Sequence, residues 1–401
     1  MRCAVFLFVM VAGCTRPNPQ SCLDGLCTDP AFPFCDFDGT VEGAMNTCIA
    51  VDCTPGEFVA CRGKDRLTCN TTGNDLDITE CQDVCDESVG GCRVTEVREP
   101  FIVYSSNRDG NVEIYRMKED GTLPTNLTLN AANDSFPLWD PTGDHIAFLS
   151  DRNGPVELFV MDPDGSNVMN VSVGQADEPA WSPDGSRLSF ASARAGSLEL
   201  YTVQRDGTML HPLSTTGLVG TASWSPDGMR LVFTSGSQLF VVDADGNGAT
   251  PITTGNDTGP RWSPNGLKIA FSHRLSFDNR EIFISNPDGT GPVNITNSAT
   301  ESENDSPVWS PDGAFLVGTG GVDPDTEIYV VDAAGVRRDN VSNSAGSRDA
   351  RPCWSPDGQR IAFSSERGGD NDIYVTARTG GTATNLTMSA GSDLGCSWRP
   401  K

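Results

Sequence analysis

The chain has 401 residues, enough for two or three domains, and carries 54 acidic against 28 basic side chains for a formal charge of −26. That balance excludes a nucleic-acid binder, whose contacts rest on Lys and Arg against phosphate, and it favours solubility and cationic partners. With 42 glycines, 26 prolines and only 37% hydrophobic residues, the composition suits short strands joined by many turns, and no segment after residue 13 is apolar enough to span a bilayer.

Residues 1–13, MRCAVFLFVMVAG, place one cation (Arg2) before an apolar run from Ala4 to Ala12, which reads as a secretory signal. Its end, Val11-Ala12-Gly13-Cys14, resembles the lipobox of bacterial lipoproteins. The resemblance implies cleavage before Cys14 and lipidation of its sulfur, several acyl chains anchoring stably where one would not. Thr15, rather than Asp, follows the Cys, which by the usual sorting pattern implies the outer membrane. Residues 14–21 are then a tether.

Fourteen cysteines follow an uneven distribution. Cys3 leaves with the signal, and ten fall in residues 22–92: Cys22, Cys27, Cys35 and Cys48 in one set, then Cys53, Cys61, Cys69, Cys81, Cys85 and Cys92 in a second. In an exported chain so short a segment buries little core, so this density predicts a disulfide-rich module of undetermined connectivity. Zinc is the rival reading at Cys81-x3-Cys85, against which stand an oxidising compartment and the lack of any His in the block. The spacing is similar to Cys-rich stalk modules of bacterial surface lipoproteins. Residues 93–100 read as a linker.

From Phe101 to the end the chain is periodic. WSPDG stands at 181, 224, 309 and 354, with WSPNG at 262, and the seven tryptophans (Trp139, Trp181, Trp224, Trp262, Trp309, Trp354, Trp398) are spaced by 42, 43, 38, 47, 45 and 44 residues. Each period holds four strand-like pieces: one ending at the Trp, an apolar one such as IAFLS (146–150), a third such as EIYVV (327–331), and a short fourth such as NLT (126–128). In SPDG the Pro presets φ, and the Gly accepts the left-handed conformation that closes a hairpin. Such a period predicts blades of an all-β, seven-bladed propeller over residues 101–401. The strand FIVYSS (101–106) opens it and Gly395–Trp398 closes it, so the first and last pieces are expected to share one blade. The DxDG turns lack the further ligands of a calcium loop, and N-x-S/T matches at Asn126, Asn294 and Asn385 read as strand-edge composition.

The pattern WSPDG-x-x-I-A-F, then EIYVMDxDG and NLT, resembles the TolB-type, WD40-like propeller family over about 300 residues. In that family partners bind at a channel mouth. A TolB propeller has six blades behind an α/β domain, whereas seven blades and a Cys-rich module are read here.

We number the blades from the one that opens at Phe101. Before most tryptophans, in the connection from the preceding blade, stands an Asp: Asp134, Asp177, Asp257, Asp305, Asp349 and Asp393. The loops between second and third strands repeat an Arg: Arg108, Arg152, Arg194, Arg274 and Arg367. Blade four has neither, and blade six has Asp305 without an Arg. Two expectations follow: an Asp–Arg pair tying loop to connection inside each blade, or a ring of carboxylates at the channel mouth that binds a cation or a basic peptide. An asymmetric ligand would then be read near Asp305 and residues 219–241. Only three His exist, His145, His211 and His273, at different blade positions, so no metal site and no cofactor are expected. No G-x-S-x-G elbow marks a hydrolase. Cys353 and Cys396 sit one and two residues before their tryptophans, an offset that leaves a bridge or two small buried residues open. The functional expectation is a monomeric, non-catalytic protein-interaction or scaffold propeller, lipid-anchored at the bacterial outer membrane, with unidentified envelope proteins as partners and no nucleic acid. A glycan or cation receptor is the alternative, and a propeller lyase or hydrolase the third reading.

Overall fold

A computed structural model describes residues 99–401 except 214–217, 278, 299–304, 323–324 and 401, together with short backbone strands between residues 22 and 93. The chain divides into two units, Met1–Arg98 and Glu99–Lys401. In the first, strands form three small antiparallel sheets of four, three and two strands. The backbone register sets Cys35 opposite Cys48 and Cys85 opposite Cys92. The signal, Cys14 and the bridging of the ten cysteines lie outside the described residues.

The second unit contains seven four-stranded antiparallel sheets. Blade two is representative: Asp134–Trp139, Ile146–Ser150, Glu157–Met161 and Met169–Asn170, in chain order. Its second strand, IAFLS, is buried along its whole length. This is the continuous apolar run of a strand covered on both faces, rather than the alternation of a half-wet one. Seven apolar clusters account for that burial, one between each pair of successive blades, and the clusters between blades seven and one and between one and two complete the ring.

Each blade tryptophan enters a different one of these clusters. Four of them also tie blade to blade: the indole N–H groups of Trp181, Trp224, Trp309 and Trp354 donate to the carbonyls of Leu138, Ala180, Arg261 and Val308 in the preceding blade, at 3.0–3.2 Å. For blades two and five the corresponding residue of the preceding blade is a serine, Ser397 or Ser223. Its hydroxyl takes the Trp139 or Trp262 backbone N–H instead, and those indoles find no acceptor among the described residues. Trp309→Phe is therefore expected to lose about 1 kcal/mol more than Trp262→Phe; urea unfolding of the two variants measures the difference.

Blade one is composite. Its inner strand is the C-terminal Asp393–Trp398, paired antiparallel with Phe101–Ser106. Cys353 and Cys396 are bonded to each other across the seam between blades seven and one. Their offset is no obstacle, because Cys396 lies in a bulge between the paired residues Leu394 and Ser397, where strict alternation of side chains lapses.

The N-x-S/T matches are more than edge composition. In five blades the Asn side-chain oxygen accepts a backbone N–H two or three residues on. The Ser or Thr hydroxyl accepts a backbone N–H of the third strand, as Thr128 does from Ile114 and Thr387 from Ile373. Most of these hydroxyls then donate to a buried carboxylate of that strand, Glu113, Glu281, Glu327 or Asp372. Such chains of bonds help satisfy the hydrogen-bonding capacity of a buried carboxylate.

Candidate channel-mouth site

The inner strands run from the face that carries the blade connections, and the geometry of their first residues decides what faces the channel. In blades one, two and seven the Asp at that start is fully buried. Asp393, Asp134 and Asp349 each receive the guanidinium of their own blade's Arg108, Arg152 and Arg367 at 2.9–3.0 Å. Each guanidinium also lies over the two aromatic rings of its blade's second and third strands, for example Arg152 at 5.2 and 4.7 Å from Phe148 and Phe159. For Arg108, burial opposes the charge, but Tyr104 and Asp393 outweigh it and hold the group above the ordinary arginine range.

The remaining blades depart from the expected pairing. In blade five the partner of Asp257 is the neighbouring His273, Nδ1 to Oδ1 at 2.6 Å, and Arg274 makes no ion pair with it. In blade three the Asp stands four rather than five residues before the Trp. The register shows Ala176 in the place Asp134 holds in blade two, and Asp177 one step on and exposed. Arg194 keeps its seat over Phe190 and Tyr201, but its Nη2 is buried with no acceptor among the described residues. Burial pulls this guanidinium below the ordinary range, against weaker support from Tyr201 and Glu157. In blade six Asp305 has the same short spacing. It turns to blade five, where Arg280 and the Ser272 hydroxyl hold it. Blade four has Val219, buried, in the Asp position. The expected carboxylate ring at the mouth is thus corrected: Asp134, Asp257, Asp349 and Asp393 are spent inside the blades, and of the six only Asp177 is fully presented to solvent.

What does face the channel is a different ring, three residues before each Trp: Phe136, Glu178, Thr221, Gly259, Ser306, Arg351 and Gly395 in blades two to seven and then one. The inner strand bulges there. Gly259 and Gly395 take the left-handed φ of 61° and 68° that the bulge asks for, but Phe136, Glu178, Ser306 and Arg351 hold φ of 53°, 47°, 56° and 52°. A non-glycine residue in that region costs on the order of 1–3 kcal/mol; fourteen of the described non-glycine residues have a positive φ, ten of them outside this ring. Two steps down, Leu138, Ala180, Ser223, Arg261 and Val308 continue the wall. The two rings enclose a cavity of about 920 Å³.

Its charges are few. Glu178 and Asp177 stand on blade three, Arg261 on blade five and Arg351 on blade seven. Arg261 donates to the Pro260 carbonyl at 3.2 Å. Arg351 reaches over Gly395, its Cδ and Nη1 within 3.9 Å of where a Cβ would stand, and lies 4.8 Å from the centre of the Phe136 ring. Neither guanidinium forms an ion pair among the described residues. Burial draws both below the ordinary arginine range; Glu178 opposes this for Arg261, and nothing comparable does for Arg351. Sequence reasoning missed this ring because its members share a position and no residue type.

Residues 172–304 and 238–401 match the family described as the TolB beta propeller domain, PD40. The chain belongs to that family. The TolB-family propeller shares 38% identity over 84 residues with the Tol-Pal system protein TolB of Alcanivorax borkumensis, a match that spans 20% of this chain and 18% of that protein. Among solved structures it superposes on TolB from Acinetobacter baumannii with a TM-score of 0.51 and 16% identity, covering 86% of this chain and 82% of that one. Oligogalacturonate lyase from Vibrio parahaemolyticus gives 0.54 and 16%, over 72% and 84%. The beta-propeller domain of the trilobed protease from Pyrococcus furiosus gives 0.57 and 11%, over 73% and 95%. These likenesses establish a shared fold. The protease domain is described as having an open velcro topology, whereas blade one of this TolB-family propeller is closed by the strand Asp393–Trp398. Its three His stand apart in role: His145 contacts Asp140 and Arg205, His211 the Asp245 carbonyl, and His273 Asp257. Among the described residues no three His, Cys, Asp or Glu side chains are grouped to hold a metal ion.

Proposed function

We propose that this TolB-family propeller is a non-catalytic binding module of the bacterial envelope, exported, lipidated at Cys14 and held at the outer membrane, which receives a protein partner at the channel mouth on its connection face. The observation that carries the reading is the cavity of about 920 Å³ at the mouth, rimmed by Phe136, Glu178, Ser306 and Arg351 at left-handed φ. Family membership supports the envelope setting, and the lipobox-like Val11-Ala12-Gly13-Cys14 supports the anchor.

The test is site-specific photo-crosslinking in envelope extract. A photoreactive residue at Phe136, at the mouth, is compared with one at Met229, exposed on the WSPDG turn of the opposite face. A discrete crosslinked protein from the Phe136 position alone is the expected result. Equal labelling at both sites, or none at either, overturns the reading. Incorporation of a labelled fatty acid that is lost in Cys14→Ser tests the anchor separately.

A further inference from the structure

We propose that the channel recognises its partner through a carboxylate, taking an acidic peptide segment whose negative side chain is met by Arg351 at the mouth and Arg261 below it. The proposal rests on the binding reading above and names the chemistry of that site.

Four observations carry it. First, the protein has 26 more negative than positive formal charges, yet two guanidiniums face its central cavity without an ion pair. Three guanidiniums of its connection-face loops, Arg108, Arg152 and Arg367, are neutralised by buried carboxylates, whereas Arg351 has no carboxylate against it and Arg261 has only the nearby charge of Glu178. Second, Arg351 holds a left-handed φ of 52°, a conformation that points its side chain across the open place left by Gly395 and onto Phe136. The ring contact fixes one face of the guanidinium and leaves its N–H edge free, and a planar fork of donors suits two carboxylate oxygens. Third, the carboxylates of the cavity, Asp177 and Glu178, both belong to blade three, and the Asp177 oxygen is engaged by the Glu178 backbone N–H at 2.9 Å. The cavity is therefore polarised, acidic on blade three and basic on blades five and seven, so an entering chain is oriented as well as held. Fourth, Phe136, Leu138 and Val308 are apolar walls between these charges. They favour a carboxylate flanked by apolar side chains over a sugar acid, whose hydroxyls would need a partner at every turn. A cavity of about 920 Å³ admits a short extended segment and not a folded domain.

The experiment uses residues 15–401, the chain without its signal and lipid site, and a blocked tetrapeptide alternating leucine and aspartate, with the leucine–asparagine peptide and digalacturonate as parallel probes, each titrated by calorimetry. The acidic peptide is expected to bind at least about tenfold more tightly than its amide counterpart, as one charge-assisted bidentate contact requires. Arg351→Met and Arg261→Met are each expected to remove most of that preference, while Arg351→Lys retains part of it; circular dichroism confirms that all three variants fold. Equal binding of the two peptides, tighter binding of digalacturonate, no binding of any probe, or a preference untouched by both Met variants overturns the proposal. A specific crosslink at Phe136 combined with any of those outcomes leaves the binding module standing and removes its carboxylate chemistry. Peptide binding without a crosslinked protein does the reverse.

Discussion

Arg152→Met is expected to lower the stability of the propeller by about 3 kcal/mol, whereas Arg194→Met is expected to leave it unchanged or raise it. The two arginines occupy equivalent seats, each over two aromatic rings with its Nε on a serine hydroxyl at 2.8 and 3.0 Å. They differ in what the far end of the guanidinium meets. Arg152 neutralises Asp134, which is fully buried, so removing the cation strands a carboxylate in the interior, a change that costs about 3–5 kcal/mol when the pair is fully dry and less here because Arg152 is partly exposed. Arg194 has Ala176 where Arg152 has Asp134 and leaves one buried nitrogen without an acceptor, so its removal strands no carboxylate, and the lost Ser192 bond and ring contacts are offset by the penalty removed. Urea midpoints of both variants, measured with matched slopes, decide the matter. Equal losses at the two positions would show that the aromatic seat, and not the ion pair, holds the loop.

The second large effect belongs to the seam. The Cys353–Cys396 bond closes a loop of sequence separation 43, which restricts the unfolded chain by about 4 kcal/mol in the loop-entropy account. Cys353→Ala with Cys396→Ala is expected to lose about 3–4 kcal/mol and to raise hydrogen exchange first in Asp393–Trp398 and its partner Phe101–Ser106, while the strands of blades three and four keep their protection. A loss spread evenly over all seven blades would contradict the view of this bond as a local staple.

The architecture was legible because it is written locally. Each blade repeats a Trp, a Gly-closed turn and an apolar run, and the count of seven, the four strands per blade and the shared first blade all follow from that repetition. The site was less so, for a reason visible in particular residues. Asp177 and Asp305 stand four residues before their tryptophans where the other Asp residues stand five. One residue fewer reverses the facing of a strand position, so Asp177 turns to solvent and Asp305 to the preceding blade. The shorter spacing was present in the sequence, but residue type alone grouped the six together. His273 displacing Arg274 as the partner of Asp257 is the same kind of one-step shift. Arg261 and Arg351 carried no signal of this kind, since neither belongs to a repeated motif and their meaning comes only from the ring position they occupy.

The C-terminal strand has a consequence for the order of assembly. A polypeptide made from its N-terminus presents the three outer strands of blade one first, and their inner edge has no partner until nearly three hundred further residues exist. Blades two to seven can stack as they emerge, but the circle stays an open arc with a bare strand edge at its leading end and no completed first blade. Closure is thus a terminal event: the last few residues both fill that edge and bring Cys396 to Cys353. A chain cut short by even nine residues is a different object from a slightly shorter propeller. It is an arc with an edge exposed for pairing with another copy, so the intactness of the final strand acts as a proofreading step on the whole molecule.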